Sequence, residues 1–325
     1  MQESEMKATR VKKIAWGGPA TAKRPPVRPR SQLSRFRIFL GTHRFRGANR
    51  VNRVLGGRGL PRGPVACSVL GNRWLIVDPS QDVYQRHLFL SGEYEPGTLN
   101  LMREVLRPGD VFVDAGANLG LMTIHAAALV GNEGAVVAFE PSPQICQILR
   151  QNVSLNACTN VEVHEVALGE RSGNATFYAR PEINSASGTL IASPDSQAQT
   201  QVPVRTLTES LDARHRNRLR LIKIDVEGYE LPVLRGSRGL LTESPQPILC
   251  VEFGEDSQEN SQQAAHVEFM KAIGGYEPFV FAGSKFSKCA LSPWSESIRL
   301  RAFDNIVYIP RVAIPTLPET LFVPQ

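Results

Sequence analysis

No apolar run in the chain approaches the roughly 18–20 residues needed to cross a bilayer, so no transmembrane span is expected. Cysteine is sparse: five residues, at 67, 146, 158, 250 and 289, odd in number and without a Cys-x-x-Cys pair. That spacing argues against a disulfide framework or a structural zinc site and points to a reducing, cytoplasmic compartment. The apolar stretch of a secretory signal is missing from the N-terminal residues. Glu3, Glu5 and the prolines between 25 and 29 also weaken a mitochondrial presequence. There is no internal repeat.

Acid is nearly absent from residues 1–64, which hold 16 Lys/Arg and 2 acidic residues. The remaining residues carry 21 basic and 29 acidic groups, so the overall +6 conceals a basic arm on an acidic core. The first thirty residues have too few apolar side chains to bury and read as disordered. Residues 31–55 read as a short helical segment and 56–64 as a linker. The arm is a candidate for peripheral contact with an anionic surface. A β-hairpin turning at Gly71-Asn72 is expected within 65–78, inside a hairpin and helical extension over 65–109. Residues 110–310 form the main domain in this division, and 311–325 a C-terminal tail.

From residue 110 the pattern alternates strand and helix, as in a mostly parallel sheet covered on both faces. Strands are expected at 110–114, 135–139, 161–166, 219–224, 248–253, 277–282 and 303–309, seven in all. Helices are expected near 119–130, from Ser142 as N-cap with Pro143 in the first turn, and at 257–273. The polar insertion 171–201 is bordered by two edge strands, 174–179 and 201–205. Thr206 and Glu209 form a capping box.

The segment Val111-Phe-Val-Asp-Ala-Gly-Ala-Asn-Leu-Gly120 puts an acid at a strand end, then a tight turn of small residues, then a helix. Gly116 permits close backbone approach, and Asn118 is positioned to cap the helix. Such a crevice beyond the strand ends is where open α/β sheets bind ligands. A pyrophosphate site wants Gly-x-Gly-x-x-Gly, whereas this turn reads Asp114-x-Gly116-x-Asn118-x-Gly120. A carboxylate repels pyrophosphate and attracts a cationic sulfonium amino acid. Glu140, at the end of the next strand, can accept hydrogen bonds from ribose hydroxyls. Together with Asp114 it favours S-adenosylmethionine over a dinucleotide.

Seven segments in order then resemble the FkbM-type methyltransferase family. They are Val113–Gly120, Ala138-Phe-Glu-Pro141, Asn152-Val-Ser-Leu-Asn156, Val166-Ala-Leu-Gly169, Val204-Arg-Thr-Leu207, Leu221-Ile-Lys-Ile-Asp-Val-Glu-Gly-Tyr-Glu230 and Val233-Leu-Arg-Gly236. Weaker likeness lies in Gly92-Glu-Tyr-Glu-Pro96 and Asp304-Asn-Ile-Val307. The resemblance implies a Rossmann-like class I methyltransferase sandwich, S-adenosylmethionine as donor, and a hydroxylated small-molecule or glycan acceptor. It places Asp114, Gly116 and Asn118 at the methionine end of the cofactor, with Gly120 also among the cofactor-binding residues. Glu140 and Pro141 then lie at the ribose and the Ala167-Leu168 backbone beside adenine.

For the chemistry, Asp225 ends the fourth strand and is the first candidate for general base, with Glu227 two residues on facing the acceptor or capping the next helix. Glu252 ends the fifth strand. Asp225 and Glu252 could share a hard divalent ion, but partnership with substrate hydroxyls or local amides is favoured and no metal is expected. His125 and His164 read as packing or surface residues, and His87, ahead of the main domain, could reach the site although nothing in the sequence shows it. The loop Asn184-Ser-Ala-Ser-Gly188 reads equally as a substrate cover or a connector. An RNA ribose methyltransferase and a nucleotide-binding module without turnover stay open as alternatives. The acidic core, which repels phosphate, disfavours nucleic acid.

Overall fold

The apolar runs of the central strands offer water no polar face, so they pack between two layers. The computed structural model describes residues 58–324 apart from 82, 180–187, 193–197, 253–258, 287–289 and 296–303. The basic arm through residue 57, including the helix expected at 31–55, lies outside the described residues, as do 184–187 of the insertion loop.

The chain opens with β1 (Val65–Val69), β2 (Arg73–Val77), α1 (Val83–Ser91) and α2 (Pro96–Val105). It continues through β3 (Val111–Ala115), α3 (Leu121–Val130), β4 (Ala135–Phe139), α4 (Pro143–Leu155) and β5 (Val161–His164). A second group holds β6 (Ala167–Leu168), β7 (Gly173–Ala179), β8 (Gly188–Thr189), β9 (Ala198–Arg205), α5 (Leu207–Ser210) and α6 (Ala213–Arg216). The last part runs β10 (Leu219–Ile224), α7 (Glu230–Gly236), α8 (Arg238–Thr242), β11 (Ile248–Glu252), α9 (Glu259–Ile273), β12 (Tyr276–Phe281), β13 (Leu291–Pro293) and β14 (Asn305–Pro310).

The main sheet has the order β13-β12-β14-β11-β10-β3-β4-β5. The expected seven strands are all present, and the three-residue β13 adds an eighth at one edge. Pairing is parallel from β5 through β11, and β14 inserts antiparallel between β11 and β12. This is the Rossmann-like class I methyltransferase arrangement. Chain order reverses at β3, between β10 and β4, and that reversal opens the ligand crevice of a doubly wound sheet. Along β3, Phe112 joins one buried layer while Val111, Val113 and Ala115 join the other.

The insertion departs from expectation. Its two strands are not edges of the main sheet: β7 and β9 pair antiparallel with each other, and with β6 and β8 make a separate four-stranded sheet. The capping box is present with a relay. Thr206 Oγ1 accepts from the Glu209 N–H at 3.1 Å, while the Glu209 carboxylate takes the Ser172 hydroxyl, which in turn accepts from the Thr206 N–H. Ser142 caps α4 as its sequence implies, accepting from the Ile145 N–H.

The pair Asn152/Asn156 shows why that spacing matters. Four residues apart on α4, the two side chains meet alternate backbone positions of β2. Asn152 Oδ1 accepts from Ile76 N–H at 2.7 Å, and Asn156 brackets Trp74 through both its N–H and its carbonyl. Asn152 Nδ2 also donates to the Leu119 carbonyl at 2.8 Å, tying the hairpin to the turn ahead of α3. Asn152→Ala leaves one donor and one acceptor buried without these partners. The expected loss is about 2–4 kcal/mol of stability, measured by urea denaturation.

Candidate active site

The turn between β3 and α3 is set by its neighbour. A Cβ on Gly116 would stand 1.9 Å from the Asp225 carbonyl oxygen, and its φ of +84° already favours glycine. The close approach inferred from sequence is therefore an approach to the backbone of the β10 strand end. Asn118 does not cap α3. It sits at φ +51° with its Oδ1 accepting from Leu119 N–H, and Gly120 takes the N-cap position instead. Gly120 does not line the cavity described below; a Cβ there would meet Leu149 at 2.5 Å, so its smallness serves the packing of α3 on α4.

A cavity of about 480 Å³ opens at the sheet's reversal point, in the range of small-molecule sites. Asp114, Gly116, Asn118, Glu140, Pro141, Ala167, Leu168, Asp225 and Glu227 all line it. Three lining residues other than glycine, Glu95, Asn118 and Glu227, hold left-handed backbone. Such strain gathers where surrounding structure fixes a side chain for use.

Asp114 is fully buried. Its Oδ2 accepts from the Thr123 hydroxyl at 2.6 Å, while Oδ1 has no hydrogen-bond partner. Burial raises its carboxyl above the usual range and the Lys223 ammonium partly counters this. Glu140 accepts from Asn118 N–H at 3.0 Å and Ser142 N–H at 2.9 Å, one bond on each oxygen. Burial pushes its carboxyl up to about 7. Each of its oxygens retains a further lone pair for a hydroxyl donor.

At the other end of the cavity, Asp225 forms a 2.5 Å ion pair with Lys223, two residues back on β10. Burial alone would raise Asp225, but the Lys223 ammonium, a hydrogen bond shared with Glu252 and the more distant Lys285 hold it well below the usual range. Glu252 is pushed well above that range by burial and by Asp225 beside it. The Lys223 ammonium thus favours the ionised form of Asp225, while Lys285 beside Glu252 opposes the rise that burial imposes there. Lys285 Nζ sits between Glu252 and Glu95, 3.0 Å from the latter. Glu95 Oε2 accepts from Thr98, which receives the Asn305 amide.

Sequence reasoning missed Glu95, Lys223 and Lys285. Glu95 and Asn305 lie in the two stretches of weaker family likeness, and Lys223 stands within the Ile-Lys-Ile-Asp run. Lys285 carried no signal. His87, Tyr84, Tyr94 and Phe286 form an aromatic rim: Tyr84 and Phe286 stand edge-on to Tyr94 at 4.8 and 5.4 Å, and His87 at 5.8 Å. His164 stacks on Phe139 and His125 is buried near the Leu99 carbonyl, both packing roles.

Glu230 fixes the loop that carries Asp225 and Glu227. A single oxygen, Oε1, accepts from Val226 N–H at 3.1 Å and Gly228 N–H at 3.0 Å. The helix α7 then starts with Tyr229 at its N-cap position. Burial lifts the Glu230 carboxyl to about 7 from an ordinary 4.5. The folded state therefore binds the proton more tightly than the unfolded one. Glu230's contribution to stability is fully present below pH 4.5 and is lost as pH rises towards 7, a slope that Glu140 shares. Glu230→Gln can keep both bonds through its amide oxygen and should remove its share of this slope. Relative to wild type it should gain up to about 3 kcal/mol above pH 7, measured by melts across pH.

The Methyltransferase FkbM domain matches residues 114–278, just over half of the chain. Methyltransferase 1 of Beauveria bassiana is 30% identical over 148 residues, covering 40% of this chain and 59% of that protein. The hexuronic acid methyltransferase AglP of Haloferax volcanii is 28% identical over 202 residues, covering 62% and 80%. The 31-O-demethyl-FK506 methyltransferase FkbM of Streptomyces tacrolimicus is 30% identical over 160 residues, covering 40% and 60%. The chain thus spans about three-fifths of the length of the fungal and streptomycete relatives. Among the described residues no helix is long and apolar enough to cross a membrane.

Proposed function

The chain belongs to the Methyltransferase FkbM domain family, and on that premise we propose that it transfers a methyl group from S-adenosylmethionine to a hydroxyl of a sugar or natural product. The observation that carries this reading is the buried Asp114 oxygen without a partner, at the reversal point of the sheet. A lone buried carboxylate oxygen calls for a cationic or hydrogen-bonding ligand, and the donor's amino-acid end is both.

When bound, S-adenosylmethionine supplies an electrophilic methyl group on a cationic sulphur. In this reading Asp114 holds the methionine end and Gly116 and Asn118 line the turn around it. Glu140 receives the ribose hydroxyls, Pro141 walls that side, and Ala167-Leu168 packs on adenine. Asp225, paired with Lys223, would take the proton of the acceptor hydroxyl, and the bound donor would supply the methyl group that replaces it. Glu227 faces the acceptor. The aromatic rim gives the acceptor ring an apolar face to lie against. Positioning of donor and hydroxyl supplies much of the rate.

The relatives named for a hexuronic acid and for 31-O-demethyl-FK506 support a hydroxylated acceptor. The test is label transfer from methyl-labelled donor to a panel of sugars, glycosides and polyketide alcohols. Label on a hydroxyl, with S-adenosylhomocysteine as co-product, is the expected result. Label on RNA alone would replace the acceptor class, and absence of both label and cofactor binding would end the reading.

A further inference from the structure

Glu95, Asp225 and Glu252 each present a carboxylate oxygen, all within 4.8 Å of one another. By donor chemistry alone this is a seat for a hard divalent ion. The fold has filled it otherwise. Lys285 is 1% exposed, with Nζ on both Glu95 and Glu252 and 3.5 Å from Asn305 Oδ1. Its own carbonyl receives the Gly97 N–H at 2.8 Å, which pins the lysine backbone to the start of α2. Lys223, 5% exposed, holds Asp225. A divalent ion entering the triad must displace Lys285 from two carboxylates and leave a buried ammonium without them, a strongly unfavourable exchange.

We propose that Lys285 is a positioning residue that takes the place of a divalent metal at the acceptor end of the cavity. It holds Glu95 and Glu252 in register with Asp225 and excludes Mg2+ and Mn2+ from the triad. The ion-exclusion half stands on the cluster alone; its consequence, methyl transfer that needs no metal, rests on the proposed function above. An arginine has charge enough to keep the seat closed, whereas a neutral side chain of similar length leaves three carboxylates open to an ion.

The test is a Mn2+ titration, followed by calorimetry and by melting temperature, of chelator-treated wild type, Lys285→Arg and Lys285→Met. Wild type and the arginine variant should show no saturable uptake through millimolar Mn2+. The methionine variant should bind one Mn2+ at least a hundredfold more tightly than wild type, with a melting temperature that climbs with Mn2+. Glu252→Gln added to it should abolish the gain. A methionine variant that fails to fold alone but refolds with Mn2+ supports the same conclusion.

Saturable Mn2+ uptake by wild type that is lost in Glu95→Gln would overturn the proposal, as would a folded methionine variant that gains no affinity. If that variant folds under neither condition, the wild-type titration decides. S-adenosylhomocysteine binding, measured on the same samples, reports on the methyltransferase reading separately, so failure of one is distinguishable from failure of the other.

Discussion

Asp114→Asn is expected to weaken S-adenosylhomocysteine binding roughly 10- to 100-fold while leaving the apo protein as stable as wild type or more so. The loss corresponds to one hydrogen bond to a charged group, about 1.5–3 kcal/mol. Stability moves the other way because the carboxylate is buried with one oxygen unpartnered, and burial already raises its carboxyl. Asparagine keeps the shape and can still accept from the Thr123 hydroxyl. S-adenosylmethionine, with its additional positive charge on sulphur, should lose more than S-adenosylhomocysteine. Calorimetry and thermal melts on the same preparation give both quantities. A variant that lost affinity and stability together would point to a structural role for Asp114 in holding the turn.

Gly116→Ala should be among the most damaging alanine substitutions at the described glycines. Two terms add: left-handed backbone at φ +84°, and a Cβ placed 1.9 Å from the Asp225 carbonyl oxygen. Backbone strain is worth about 1–2 kcal/mol and forced repacking about 1–3 kcal/mol, so a total of about 2–5 kcal/mol is expected. Gly71→Ala separates the two terms. Gly71 has φ +79° but nothing within 4 Å of its would-be Cβ, so it should lose only the strain. Because the clash presses on the strand end that presents Asp225, Gly116→Ala should also abolish methyl transfer if it folds. Equal losses at the two glycines, measured by denaturant midpoint, would show that the Asp225 carbonyl retreats without cost.

The strands of the main sheet were legible because each is an apolar run that reads the same whatever it pairs with. Partners were not. The insertion strands have the residues of edge strands, and only the fold shows that β7 and β9 prefer each other to the main sheet. Asn118 failed as a helix cap because residue type tells nothing of the left-handed backbone that Glu140 fixes by accepting its N–H. Glu140 itself was visible as an acid at a strand end, the place where this sheet type binds ligands. Asp225 is visible as a carboxylate at a strand end, but its ion pair with Lys223 is not, because the strand ends at Ile224 and side-chain alternation need not continue beyond it. Lys285 was invisible for a different reason. In sequence it looks like a solvated loop lysine, and its partners Glu252 and Glu95 are brought to it by β11 and the start of α2.

The central claim is that the crevice beyond β3 and β4 is a sulfonium-nucleotide site. Calorimetric titration of wild-type protein with S-adenosylhomocysteine tests it most directly. Saturable one-to-one binding that weakens in Asp114→Asn is the expected result. A well-folded wild-type protein that takes up no S-adenosylhomocysteine through millimolar concentrations would contradict it.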